Sequence, residues 1–260
     1  MFNKVAFIGL GLIGSSLARV LRANHLAQTI VASSRSPRTL SLALDIGLID
    51  VGYADAAEAV QEADLVVLAM PVCATQSVLA AIKDSLKASV IITDVGSTKG
   101  NVVSAAETVF GVVPTRFIPA HPIAGSEQSG VLAGKVDLFD RHKVIITPLP
   151  HTDAEACLLI QQMWQVAGAE VLTMTVQRHD EVLAKTSHLP HLLAFSLVDT
   201  LARESQIMKL GADQISKDYF DVRFDNNDIA EHGEKPSVVK VKVTALKDVP
   251  AGLDYKWNLG

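Results

Sequence analysis

Val5-Ala6-Phe7-Ile8-Gly9-Leu10-Gly11-Leu12-Ile13-Gly14-Ser15-Ser16 stands near the start of the 260-residue chain. The apolar run ahead of Gly9 predicts a buried strand, and Leu12, Ala18 and Leu21 behind it predict a helix. Gly9, Gly11 and Gly14 have the G-x-G-x-x-G spacing of a dinucleotide-binding turn. Each glycine has its own task there. Gly9 makes the tight turn, Gly11 admits a pyrophosphate to the backbone, and Gly14 lets helix and strand pack closely. The helix N-terminus offers unpaired N–H groups and partial positive charge to the phosphates. With Leu10, Leu12 and Ile13 between the glycines, the whole turn is the candidate cofactor site. The plain alternative is a glycine-rich turn of an ordinary α/β protein.

Composition narrows the rest. The length suits one large domain or two small ones. A formal net charge of −5 and a pI near 5.9 offer no basic surface to nucleic acid or to an anionic membrane. No apolar run reaches the roughly 20 residues that span a bilayer, and the glycines interrupt any signal-like segment at the N-terminus. Cys73 and Cys157 form neither a C-x-x-C nor a metal-ligand spacing. They read as buried free thiols of a reducing compartment, the cytoplasm.

Past the first helix, Thr29–Ser33 predicts a second strand. An acidic side chain about 20 residues beyond the last glycine would bind the ribose hydroxyls of NAD. That position is Ser34, and the turn reads Ser33-Ser34-Arg35-Ser36-Pro37-Arg38. Hydroxyls and guanidinium groups without a carboxylate suit the 2′-phosphate of NADP, so NADP is preferred over NAD, with Ser34 and Arg35 as its contacts. Further strands are expected at residues 65–69, ending at Met70-Pro71, and at 90–93, ending at Asp94-Val95-Gly96-Ser97-Thr98-Lys99. Others fall at 117–120, ending at His121, and at 143–147 and 170–174, with an Ala154–Val166 helix between the last two. Strands alternating with helices predict a doubly wound, mostly parallel Rossmann-type α/β sheet. Ligands of such sheets sit beyond the carboxyl ends of the strands, where Gly9, Ser34, Met70, Ser97 and His121 all fall. A long helix from Val176 to about Glu204, kinked at Pro190, carries His188 and His191, which read as structural or substrate-facing groups rather than metal ligands.

Three motifs follow the glycine turn in order: Asp94-Val95-Gly96-Ser97-Thr98-Lys99, His121-Pro122-Ile123-Ala124-Gly125-Ser126-Glu127 and Ser187-His188-Leu189-Pro190-His191. Together they resemble the prephenate/arogenate (cyclohexadienyl) dehydrogenase family of tyrosine biosynthesis over residues 1–205. The resemblance implies oxidative decarboxylation of a cyclohexadienyl acid, with hydride passed to NADP or NAD by a homodimer. It makes His121 the acceptor of the ring hydroxyl's proton, a task suited to neutral imidazole, and Ser97 its partner. Ser97 also stands where a helix N-cap would. The resemblance places His191 near the substrate carboxylates, while His188 either joins it or orients neighbouring side chains. Glu127 reads as a substrate contact or as a solvated turn carboxylate. Asp94 reads as a brace for its own turn, and Lys99 as an exposed lysine or an attractor of anionic substrate.

The organisation expected is a dinucleotide-binding domain over 1–174, one helix of a substrate and dimerisation domain over 175–205, and an atypical tail over 206–260. Charged residues rise to about a third of the tail, and residues 219–224 and 238–243 alternate like half-exposed strands around a turn at 225–228. The family's carboxylate-clamping arginine, in a Gly-Gly-Phe-Arg-Asp-like segment, has no counterpart, and Arg223 is the only arginine after Arg203. Two other readings remain open. One is a cofactor-binding module with incomplete catalysis. The other is a related β-hydroxy acid dehydrogenase, for which Lys185 lies near the expected catalytic lysine.

Overall fold

The computed structural model describes residues 1–126, 128–194 and 196–197, with the backbone of the strands Phe220–Asp225 and Lys240–Ala245. The chain divides into two units, Met1–Asp180 and Glu181–Gly260.

The first unit opens with β1 (Phe2–Ile8), α1 (Leu12–Ala23), β2 (Ala27–Ser33), α2 (Pro37–Asp45), β3 (Val51–Tyr53) and α3 (Ala56–Val60). It continues with β4 (Leu65–Leu68), α4 (Thr75–Ile82), β5 (Ile91–Asp94), α5 (Gly100–Phe110) and β6 (Phe117–Ile118). Six parallel strands lie in the order β3-β2-β1-β4-β5-β6, the order of a doubly wound dinucleotide fold. Alternation explains why both faces are covered. In β1, Val5 and Phe7 face one apolar cluster with Leu17, Leu21 and Trp164, while Ala6 and Ile8 face the other with Leu79, Ile82 and Phe117. Opposite Ile8 lie Ser33 on β2 and Leu68 on β4, and opposite Leu68 lies Asp94 on β5. The strands therefore end level, and their following loops share one edge.

Three expectations need correction. Strand β3 was not among the predicted strands, because three residues centred on Gly52 carry no readable alternation. A single strand over 117–120 with His121 beyond its end does not form either. Pro119 has no N–H for the ladder, so β6 stops at Ile118, and β7 (Ala120–Pro122) pairs antiparallel with β8 (Lys143–Ile146) in a second sheet. His121 thus lies on a strand. Strand β8 pairs in parallel with β9 (Glu170–Thr173) across α6 (Ala154–Val166). The thiols are the third correction: both are free, but Cys73 is exposed and Cys157 half-buried.

Helix α7 (Val176–Leu183) begins where Thr175 Oγ1 accepts the Arg178 N–H. A π-helical turn follows over Ala184–His188, where the Leu189 N–H reaches back to the Ala184 carbonyl. Helix resumes over 189–194. The wide turn explains how a proline is carried. Pro190 has no N–H to give and its ring crowds the preceding turn, so the helix widens ahead of it instead of breaking. The remainder of the expected helix toward Glu204 lies outside the described residues. In the second unit, strands Phe220–Asp225 and Lys240–Ala245 pair antiparallel with Phe220 opposite Ala245. The turn expected between them also lies outside the described residues, apart from Asp225. No described helix is long and apolar enough to cross a membrane.

Candidate active site

The glycine turn has the geometry its spacing calls for. Gly9 has φ +93°, a region L side chains rarely adopt, and a Cβ there would lie 2.7 Å from the Ala69 carbonyl oxygen. A Cβ on Gly14 would lie 2.9 Å from both the Ala69 Cβ and the Gly9 oxygen. Gly11 differs: nothing lies within 4 Å of where its Cβ would stand. Gly11 is the N-cap of α1, with no side-chain cap and no acidic residue in the first turn. Open space over a helix N-terminus without a carboxylate fits a pyrophosphate. Leu10 is buried, whereas Leu12 and Ile13 are half-buried and pack on the core.

The turn is tied to both neighbouring strands, since Gly9 N–H donates to the Ser33 carbonyl at 2.9 Å and Ala69 N–H to Ile8 at 2.8 Å. Ser34, half-buried, and Arg35, exposed, leave β2 on the same edge. Ser34 Oγ accepts the Ser36 N–H at 3.2 Å, and Ser36 caps α2. Half-buried Met70 and exposed Pro71 follow β4 and lead into α4.

Asp94 and Lys99 tie the loop that carries Ser97 to the strand that carries His121. Asp94, buried at the end of β5, accepts the Gly96 N–H at 2.8 Å and the Ala120 N–H at 3.1 Å. Lys99, fully buried, pairs with Asp94 and donates to the Ala120 carbonyl at 2.6 Å. The loop carrying Ser97 is therefore fastened to the residue before His121. Asp94 braces its turn as expected. Lys99 does not reach solvent. Burial lowers its affinity for a proton and the Asp94 carboxylate opposes that shift. Ser97 is exposed and does not cap α5, whose N-cap is Lys99.

That cap comes from elsewhere. Asp180, on α7, accepts the Lys99 N–H and the Gly100 N–H at 2.8 Å each. The same carboxylate meets His179 Nδ1 at 2.7 Å, and His179 Nε2 meets His121 Nδ1 at 2.9 Å. His179 is fully buried. Burial pulls its pKa below the ordinary imidazole value, Asp180 works against that, and the Lys99 charge adds to it. For Asp180 burial acts upward, but the Lys99 N–H, the His179 ring and the Gly100 N–H outweigh it, and the carboxyl titrates below its usual range. Sequence reasoning missed both residues. The Arg178-His179-Asp180 triplet was the available signal, and its meaning depends on β7 lying alongside.

The other expected site residues fall in the second unit or outside the described residues. His188, half-buried, closes the π-helical turn, and His191, exposed, follows one turn later, both in the second unit. Lys185 is exposed in the same turn. Glu127 lies outside the described residues.

Known proteins resemble this chain along most of its length. Residues 17–173 match the family described as "Prephenate dehydrogenase, nucleotide-binding domain", and residues 175–225 match "Prephenate dehydrogenase, dimerization domain". The second match runs beyond the last of the three motifs and past residue 205, into the stretch expected to be an atypical tail. A cyclohexadienyl dehydrogenase of Zymomonas mobilis is 43% identical over 199 residues, covering 76% of this chain and 67% of that protein. A prephenate dehydrogenase of Lactococcus lactis is 34% identical over 211 residues, covering 80% of this chain but only 57% of its own length. The chain therefore spans between about half and two thirds of these relatives. Among solved structures, prephenate dehydrogenase of A. aeolicus, in complex with hydroxyphenyl propionate and NAD+, superposes with a TM-score of 0.72 at 35% identity, covering 78% of this chain and 70% of that one. With its strand order, its glycine turn and its ordered motifs, the chain belongs to the prephenate dehydrogenase family.

Proposed function

We propose that this chain oxidatively decarboxylates prephenate or arogenate with NADP, or less readily NAD, as hydride acceptor, and that it works as a homodimer. Carrying the reading is the fastening of the Ser97 loop, through Asp94 and Lys99, to the strand that bears His121. That fastening supports reading Ser97 and His121 as a hydroxyl–imidazole pair, and the strand that leads into the Ser97 loop ends level with the one that leads into the glycine turn. The dinucleotide, when bound, supplies the acceptor for the hydride that leaves the hydroxyl-bearing ring carbon.

His121 takes the hydroxyl proton as that carbon becomes a carbonyl. Loss of the ring carboxylate as CO2 then sends its electron pair into the ring, toward the new carbonyl oxygen. The oxygen recovers the proton from His121 and the ring is aromatic. Ser97 orients the hydroxyl. His191, His188 and Glu127 are assigned to the substrate side on the motif resemblance. Cofactor contacts are Gly9–Gly14, Ser34, Arg35, Met70 and Pro71. The absent acid at position 34 and the guanidinium of Arg35 favour a 2′-phosphate. The domain organisation proposed is a dinucleotide-binding domain over 1–174, one helix of a truncated substrate and dimerisation domain over 175–205, and an atypical tail over 206–260.

The test mixes the full chain with prephenate or arogenate and with NAD+ or NADP+, and follows reduced cofactor by absorbance. Turnover of either acid is expected, with the higher kcat/KM for NADP+. His121→Asn should cut kcat by roughly 10²–10⁴-fold and spare cofactor binding. Cofactor binding without turnover of either acid would overturn the reading. It would favour a cofactor-binding module instead, an alternative supported by the missing carboxylate-clamping arginine.

A further inference from the structure

We infer that His179 and Asp180 set the tautomer of His121 and so hold it in the form that can act as a base. This rests on His121 being the proton acceptor in the reaction proposed above. Hydrogen-bond direction runs one way along the chain of contacts. Asp180 is ionised, accepts two backbone N–H groups, and has only lone pairs to offer. His179 Nδ1, 2.7 Å away, must therefore carry the hydrogen. A neutral His179 then presents a lone pair at Nε2, so His121 Nδ1, 2.9 Å from it, must be the donor. A neutral imidazole with hydrogen on Nδ1 has its basic lone pair on Nε2. Nε2 is thus the nitrogen that accepts the hydroxyl proton.

The arrangement works only while His179 is neutral. Protonated, it would donate from both nitrogens, His121 Nδ1 would have to accept, and Nε2 would carry the hydrogen. The groups facing His179 are Asp180 on its own helix, Asp94 at the end of β5, Lys99 from the loop that follows, and His121 on β7. Burial keeps His179 neutral with help from the Lys99 charge, against the pull of the two carboxylates. Once His121 has taken the proton, its Nδ1–H still has an acceptor, and Asp180 stands behind it at the far end. His179 and Asp180 are positioning residues; neither needs to touch substrate.

Two substitutions separate this role from packing. His179→Phe keeps an aromatic ring and removes the acceptor, whereas His179→Gln loses the ring but retains an amide oxygen able to accept from Nδ1–H. The expected result is a kcat loss of roughly 10²–10⁴-fold for Phe and a milder loss, within about tenfold, for Gln, with dinucleotide affinity unchanged in both. A purely structural role predicts the reverse order. Independently of turnover, nitrogen-15 NMR of histidine-labelled full chain should show His121 with hydrogen on Nδ1, and that preference should disappear in His179→Phe. Hydrogen on Nε2 of His121 in the unsubstituted chain, or Phe tolerated better than Gln, would overturn the inference. An unchanged kcat in His121→Asn would instead remove the base itself, a failure of the functional reading that these experiments tell apart.

Discussion

At the scale of single residues, Lys99 was the least legible member of the site. A lysine before a helix ordinarily reads as exposed, and no periodicity links it to Asp94 five positions earlier. Its burial comes from tertiary contact with Ala120, which sequence spacing does not encode. The energetic consequence is testable. Lys99 and Asp94 are both removed from water, and deleting one partner strands the other charge at a cost of about 3–5 kcal/mol. Lys99→Met should therefore lower the urea midpoint sharply, while Lys99→Met combined with Asp94→Asn should recover much of the loss, because neighbouring sites couple. Additive losses in the double variant would show that the pair does not act as a unit. His179 and Asp180 escaped notice for a related reason. A histidine beside a carboxylate in an amphipathic helix is unremarkable until a second histidine, 58 positions away, is seen at hydrogen-bond distance. His121 and Ser97 could be singled out because they sit in motifs, and the residues around them could not because contact alone joins them.

At the scale of elements, the strand-turn-helix at the N-terminus was the most readable part of the chain. Its two outer glycines are demanded by close approach and its middle one by open space, so the three should respond differently to alanine. Gly9→Ala puts a methyl group 2.7 Å from a backbone oxygen at positive φ, and should cost about 1–3 kcal/mol or more from strain and overpacking. Gly11→Ala meets nothing within 4 Å and has φ −76°. It should leave the unfolding midpoint within about 1 kcal/mol of the parent yet weaken dinucleotide binding by roughly tenfold or more, since the methyl group occupies the space over the helix N-terminus. Calorimetric titration with NAD+ and NADP+, beside a thermal melt, checks both. Equal stability losses at the two positions would contradict the division of roles. Elements without such punctuation were harder to read. Strand β3 is too short to alternate, and β6 and β7 look like one strand until Pro119 is recognised as the point where the chain changes sheets.

At the scale of the molecule, the second unit raises the question of partners. Leu189, Leu192 and Leu193 stand at i, i+3 and i+4 on the helix that follows the π-helical turn, and each is at least half exposed. That spacing places them on one face. Burying a leucine is worth about 1.5–3 kcal/mol, so a continuous stripe of three is a strong incentive to associate. The match to a dimerization domain over 175–225 begins upstream of this stripe and runs through it. In the homodimer proposed for this chain, the stripe would lie in the interface. Sedimentation velocity over a range of concentrations should then show a dimer, and Leu192→Glu with Leu193→Glu should shift it to monomer by setting like charges on a face that must dehydrate. Dinucleotide affinity should survive the change, because the glycine turn belongs to the first unit, with its own core of two apolar clusters. A parent chain that is monomeric at every concentration would remove the homodimer from the functional reading. A double variant that remains a dimer would place the interface elsewhere and leave the leucine stripe without that role.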